Sequence, residues 1–172
     1  MADTFEAISR EVLEKKRREG KSETTVCKAE WLFDLAIPAL GPRPIAEITA
    51  PEVLAVLRQV EVGGRLETAR RLRAIIGQAF RFAVATGRTM SDPTSALRGA
   101  LAAPVVQHRA AIVEPVPFGA LLRAIDGYDG TLVVRSALQL LALTFTRPGE
   151  LRLATWKEFD LDAGVWTVPA NA

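Results

Sequence analysis

Two groups of arginines in this 172-residue sequence have the residue type and spacing to contact phosphate groups. The first group lies along one predicted helix and at its C-terminal end, and consists of Arg70, Arg73, Arg81 and Arg88. At 100° per residue their side chains share one face of the helix, and the opposite face is apolar. The planar guanidinium donates paired hydrogen bonds to phosphate oxygens and to guanine. We call these four residues the arginine face and predict that it binds double-stranded DNA.

The charge around the arginine face is one-sided. Between residues 65 and 98 the chain has seven arginines and only two acids, although its overall net charge is +2. Within the helix no acid lies four positions after a member of the face, and Gly77 lies at its centre. We therefore predict an unneutralised surface and interpret Gly77 as allowing close approach of the DNA backbone. The alternative is an ordinary solvated helix face.

Arg147 is the second candidate for phosphate chemistry. It precedes Pro148, Gly149 and Glu150, and a proline followed by an early acid is typical of the first turn of a helix. A guanidinium fixed at such a position can stabilise the negative charge that develops on a phosphate in a transition state. Two alternatives stay open: Arg147 forms an ordinary ion pair, and Glu150 is either an orienting partner or a simple first-turn acid.

Four predicted helices in the first hundred residues would position the arginine face. Their periodicity, caps and stop signals place them at about residues 3–18, 22–35, 49–62 and 66–86. Thr49-Ala50-Pro51-Glu52 is the best of these signals, since it combines an N-cap hydroxyl, a first-turn proline and a capping-box glutamate. The prolines and glycine between 38 and 44 predict a turn. Residues 1–100 are thus predicted to form one all-α DNA-binding domain.

A second predicted domain, residues 117–172, carries Arg147 and follows a linker over residues 101–116 that is rich in alanine, proline and valine. It should contain a short helix near 118–125, a buried helix over 131–144 and a short helix after Arg147. Residues 164–168 alternate like a strand, and a strand needs a partner. No partner is expected in the remaining sequence, so we interpret this domain as incomplete.

The bulk composition narrows the setting of the chain. Cys27 is the only cysteine, so neither an internal disulfide nor a cysteine-based metal site is expected. No apolar run is long enough to span a bilayer, and the first residues lack the pattern of a signal peptide. We expect a cytoplasmic protein with no membrane partner, no cofactor and no metal.

The sequence around Arg147 resembles the first catalytic box of the tyrosine recombinases, in particular the P4-type prophage integrase branch of the phage integrase family. The resemblance rests on Leu143-Thr144-Phe145-Thr146-Arg147-Pro148-Gly149-Glu150-Leu151-Arg152 and on Trp156-Lys157-Glu158-Phe159-Asp160-Leu161. Upstream, Glu67-Thr68-Ala69-Arg70-Arg71-Leu72 and Phe80-Arg81-Phe82-Ala83-Val84-Ala85-Thr86-Gly87 are similar to the core-binding domain of that family.

The resemblance implies a mainly α fold, in which a four-helix core-binding (SAM-like) bundle precedes a truncated, mostly helical start of the α+β catalytic domain. It implies a site-specific recombinase in which a tyrosine attacks a DNA phosphodiester and Arg147 holds the non-bridging oxygens. The family's lysine, His-x-x-Arg pair and nucleophilic tyrosine follow this box, whereas His108 and Tyr128 precede it here. We therefore expect a monomeric DNA-binding fragment, inactive alone, of a bacterial-host integrase that is tetrameric on attachment-site DNA.

Two other functions are compatible with the helical pattern. A helical DNA-binding regulator would use the arginine face as its recognition element, although it would not need the sequence around Arg147. A helical interaction module that binds no DNA would carry the arginines only as surface. Salt-dependent binding to a duplex distinguishes this last function from the other two.

Overall fold

The computed structural model describes residues 3–104 and 111–169, and helices account for most of the ordered elements in both ranges. The contacts within the chain divide it into two units, with the division between residues 104 and 111. His108 and the central part of the predicted linker, residues 105–110, lie outside the described residues. The mainly α fold class is confirmed.

Over residues 3–104, the first unit is built from helices, and three of its α-helices begin with a side-chain cap. They are α1 (Phe5–Arg18), α2 (Glu23–Asp34), α3 (Ile37–Leu40), α4 (Ala50–Val62) and α5 (Leu66–Ala85), with 3-10 segments at Ile45–Glu47 and Pro93–Leu97. The side chain of Thr4 accepts a hydrogen bond from the amide of Ala7 at 3.3 Å, which is why α1 starts at Phe5 rather than at residue 3. The short helix α3 lies where only a turn was predicted.

The start of α4 has the capping box that its sequence predicts. A carboxylate oxygen of Glu52 accepts hydrogen bonds from the Thr49 amide and from the Thr49 hydroxyl, both at 2.8 Å. The Arg43 guanidinium also donates to Glu52. These bonds stabilise the ionised carboxylate and lower the pKa of Glu52 from 4.5 to about 2. The bond from the Thr49 amide has the largest effect, followed by those from the Thr49 hydroxyl and the Arg43 guanidinium.

Helix α5 lies at the centre of the first unit and packs against α1, α2 and α4. Phe5, Phe33 and Phe80 bring α1, α2 and α5 together, with ring centroids 6.1 Å apart for Phe5 and Phe33 and 6.3 Å apart for Phe5 and Phe80. All three side chains are essentially inaccessible to solvent. Burial of apolar side chains, to which these large rings contribute, is the main favourable contribution to the folding free energy. The core therefore fixes the backbone that carries the arginine face.

Within residues 111–169, the second unit has a 3-10 segment at Trp156–Glu158, three α-helices and a small hairpin. The α-helices and strands are α6 (Pro115–Asp126), α7 (Leu132–Thr144), α8 (Pro148–Leu153), β1 (Phe159–Asp160) and β2 (Val165–Trp166). The strands are antiparallel, with Phe159 opposite Trp166, and the two rings stack with centroids 4.9 Å apart. The prediction that the strand near residues 164–168 has no partner was wrong. Its partner is the acidic-apolar segment that begins at Phe159, which is too short to show strand periodicity.

Two further expectations for the second unit need correction. Helix α6 starts at Pro115, inside the range predicted as linker, because the first turn of a helix tolerates prolines, whose missing amide would have no acceptor there. Helix α7 is not buried: Leu132 and Val133 are 67% and 78% exposed. Among the described residues, only α6 and α8 pack extensively against α7. The exact limits of the two domains remain a prediction.

Candidate nucleic-acid interface

Three members of the arginine face lie on α5, and Arg88 follows its C-terminal end. The first two members are available for an external anion. Arg70 is exposed and Arg73 is partly buried. In the described part of the chain, neither side chain forms an ion pair, whereas the neighbouring Arg71 pairs with Glu67 at 2.9 Å. The N-terminal half of the face therefore matches the unneutralised surface that the sequence predicts.

Arg81 is held in place by an acid from the segment that follows α5. Its Nη1 atom donates to a carboxylate oxygen of Asp92 at 3.0 Å. The other oxygen of Asp92 accepts from the amide and the hydroxyl of Thr94, at 2.9 and 2.6 Å. The Arg81 side chain is still 61% exposed, whereas that of Asp92 is 14% exposed. Arg81 is thus oriented by a well-anchored partner while its other donors stay accessible.

Arg88 contributes to the packing of the first unit. Its Nη1 atom lies 2.7 Å from a carboxylate oxygen of Glu11, and its Nε atom lies 3.6 Å from Asp3. Only 18% of the side chain is exposed, and the hydrogen bond to Glu11 raises the pKa of Arg88. The expectation of an unneutralised face was therefore wrong for its C-terminal half. The neutralising acids come from other elements, which helical periodicity within α5 does not detect.

Gly77, at the centre of the arginine face, is buried rather than open to DNA. A Cβ atom built on it would lie 2.6 Å from the hydroxyl oxygen of Thr94 and 2.8 Å from Nη1 of Arg81. The close approach that we attributed to DNA is made by the segment Pro93–Leu97 of the same chain. Glycine suits this position because a Cβ atom would collide with the side chains of Thr94 and Arg81.

Two lysines that the sequence analysis did not assign lie beside Arg81. Lys15 and Lys16, in the last turn of α1, line the same groove as Arg81 and Gln78 of α5. The run Lys15-Lys16-Arg17-Arg18 was visible in the sequence, but a basic last turn is also what the helix dipole favours. Only the packing of α1 against α5 shows that these cations extend the arginine face.

Arg147 is the N-cap residue of α8. Its amide donates to one carboxylate oxygen of Glu150 and its guanidinium donates to the other, both at 2.8 Å. Both bonds lower the pKa of Glu150, the bond from the amide more than the bond from the guanidinium. Glu150 therefore acts both as a first-turn acid and as a partner that orients Arg147. The Arg147 side chain is 86% exposed, so this ion pair leaves most of its donors open to a phosphate.

The remaining candidates for chemistry are few. Tyr128 is exposed and lies just after α6, before Arg147 in chain order. Over residues 3–104 and 111–169, no group of three or more histidine, cysteine, aspartate or glutamate side chains could hold a metal ion. Within the same ranges, every helix is too short or too polar to cross a lipid bilayer.

Comparison with known proteins places these features in a family. Residues 5–100 match the family model described as the phage integrase central domain. The IntB protein of Escherichia coli strain K12 is 40% identical over 139 residues, covering 80% of this chain and 35% of that protein. The integrase of Enterobacteria phage P4 is 32% identical over 170 residues, covering 99% of this chain and 38% of that protein. The chain thus spans less than half the length of these relatives.

A solved structure shows the same fold over most of the chain. It is a lambda integrase dimer bound to a COC′ core site, with a TM-score of 0.70 and 21% sequence identity. The match covers 91% of this chain and 43% of the lambda integrase chain. The residues that match the central-domain model make up more than half of the whole sequence. This chain therefore belongs to the phage integrase family.

Proposed function

We propose that this chain is the core-site-binding part, followed by the start of the catalytic domain, of a site-specific tyrosine recombinase that acts in DNA integration. The observation that carries the proposal is the set of accessible guanidinium groups on α5, where Arg70, Arg73 and Arg81 follow one face of a helix that the core holds rigidly. The solved lambda integrase of the same fold is bound to a core site, which supports duplex DNA as the ligand.

The physical basis of binding is the charge of the duplex. Lysine and arginine side chains that neutralise phosphates release condensed counterions, so affinity falls steeply with salt. Arg70 and Arg73 have no competing acid in the described residues, and Asp92 holds Arg81 in one orientation. Pre-oriented donors lose less side-chain entropy on binding. We assign the larger share of binding to these three arginines and a smaller share to Arg88, because Glu11 and Asp3 already hold it.

The second part of the proposal concerns catalysis by the parent protein. Arg147 would hold the non-bridging oxygens of the scissile phosphate, and its Glu150 partner fixes the direction of the guanidinium. Tyr128 precedes Arg147, and the family's nucleophile is expected after it. We propose that the 172-residue chain binds DNA as a monomer without cutting it, and that the full-length protein assembles on DNA as a tetramer.

A salt titration of duplex binding tests this function. The chain should bind a labelled duplex with a log affinity that falls linearly with log salt concentration. Affinity independent of salt, or no binding at low salt, would leave only a helical module without a nucleic-acid role. The sequence of the parent gene downstream of this chain tests the recombinase assignment, because it should contain the His-x-x-Arg pair and a later tyrosine.

A further inference from the structure

The structure contains a basic groove on the first unit that extends the predicted arginine face from Arg81 toward α1. A groove of about 310 Å³ lies between the last turn of α1 and the second half of α5. Its polar lining residues are Lys15, Lys16, Glu19, Gln78 and Arg81, and its apolar lining includes Phe82. This concave surface combines cations and an amide with an aromatic ring. It suits an anion that is bonded to a less polar group, such as a DNA phosphodiester with its sugar.

Among the cations of this groove, Lys16 is the one most available to an external anion. It is partly buried, and in the described part of the chain it forms no ion pair. By contrast, the Lys15 ammonium lies 3.7 Å from a carboxylate oxygen of Glu19 and 5.9 Å from the centroid of the Phe82 ring. A lysine can bury its aliphatic stem while its ammonium stays in contact with water. With no carboxylate paired to it in the described residues, the Lys16 ammonium is available to an anion in the groove.

Arg81 belongs both to this groove and to the arginine face. Asp92 occupies its Nη1 atom, and 61% of the side chain remains exposed. A guanidinium has five N–H donors, so the bond to Asp92 leaves several for a phosphate. The groove therefore continues the arginine face toward α1 rather than forming a separate surface.

The spacing along α5 fits the dimensions of a duplex. Arg73 and Arg81 are eight residues apart, which corresponds to ~12 Å at the helical rise of ~1.5 Å per residue. The phosphates of each DNA strand recur about every 3.4 Å along the duplex axis. Cations this far apart on one helix can therefore contact different phosphates.

We propose that the groove formed by Lys15, Lys16, Gln78 and Arg81 binds a backbone phosphate of the DNA duplex other than the one that Arg73 contacts. This inference rests on the proposed DNA-binding function and adds α1 to the interface. Lys16 is its principal new contact, and Lys15 has a smaller part because Glu19 already pairs with it.

The test is a salt titration of the 172-residue chain with a fluorescein-labelled duplex of mixed sequence, read by anisotropy. Lys16→Gln should lower the slope of log affinity against log salt by about 0.9, the value for one phosphate contact. Lys16→Arg should keep the parent slope. Arg58→Gln removes one exposed positive charge from α4 and serves as the matched control, which should also keep the parent slope. Circular dichroism checks that each variant is folded.

Two results would overturn the inference, and they differ in what else they imply. If Lys16→Gln binds with the parent slope while Arg73→Ala lowers it, the groove holds no phosphate but the proposed DNA-binding function stands. If the parent chain does not bind the duplex at all, both proposals fail together. An equal loss of slope in Lys16→Gln and Arg58→Gln would also count against the groove, because it would reflect net charge alone.

Discussion

The hydroxyl oxygen of Thr94 lies 2.6 Å from the place where a Cβ atom on Gly77 would stand. Thr94 is itself buried and bonded to Asp92, so it cannot move aside without breaking that bond. Gly77→Ala should therefore destabilise the first unit by roughly 1–3 kcal/mol, the usual cost of overpacking, although alanine favours helix formation elsewhere. Urea unfolding followed by circular dichroism measures the change.

A double variant controls for this explanation. If the clash with Thr94 causes the loss, Gly77→Ala combined with Thr94→Ala should cost less than the sum of the two single changes. Additive losses, or a Gly77→Ala variant as stable as the parent, would show that the two residues are not in such close contact.

Duplex binding should depend on the accessible members of the arginine face. Arg73→Ala with Arg81→Ala should lower the slope of log affinity against log salt by about 1.8, since each phosphate contact contributes about 0.9. The matched control removes Arg10 and Arg58, two exposed arginines on α1 and α4. Electrophoretic mobility shifts at several salt concentrations provide the measurement. A double variant that binds like the parent at every concentration would show that the face does not contact DNA.

Glu52 should make stability depend on acid pH. Its pKa in the folded chain is about 2, below the usual 4.5, so its contribution is complete above pH 4.5 and is lost as the pH falls toward 2. In Glu52→Gln this part of the pH dependence should disappear. Melting temperatures between these limits measure it, with Glu47→Gln as a control at an exposed position nearby. If the melting temperatures of the parent and of Glu52→Gln change equally with pH, the role assigned to the capping box is wrong.

Several of these features were predictable from sequence because they are local. The capping box at Thr49 and Glu52 and the helix start after Arg147 depend on residues within three positions of each other. By contrast, Glu11 and Arg88 are 77 positions apart, and no periodicity within one helix reveals such a pair. The contact between Thr94 and Gly77 and the groove around Lys16 likewise depend on which elements pack together.

Arg147 should be essential for strand cleavage in the full-length parent protein. Arg147→Ala should reduce cleavage by roughly a hundredfold or more while leaving DNA binding nearly unchanged, because the proposed role of the guanidinium is to stabilise charge that develops in the transition state. Arg147→Lys should be strongly impaired as well, since an ammonium does not donate in a paired geometry. A suicide-substrate assay, read as protein–DNA adducts on a denaturing gel, measures the effect.

Arg152 provides a matched control for that assay, because it is an exposed arginine in the same short helix. Arg152→Ala should retain most of the cleavage. The 172-residue chain should form no adduct in any variant. Adducts from this short chain, or full cleavage by the parent with Arg147→Ala, would disprove the catalytic assignment.

The buried hydrophobic residues of the described chain all lie in the first unit, the last of them being Leu97. Backbone amides exchange with solvent through local opening, and opening is easiest where little apolar surface is buried. Deuterium exchange should therefore be slow in α5 and fast throughout α6, α7 and α8 of this chain. For the same reason, brief trypsin treatment should digest the second unit first and leave a resistant helical core, even though both units have regular secondary structure.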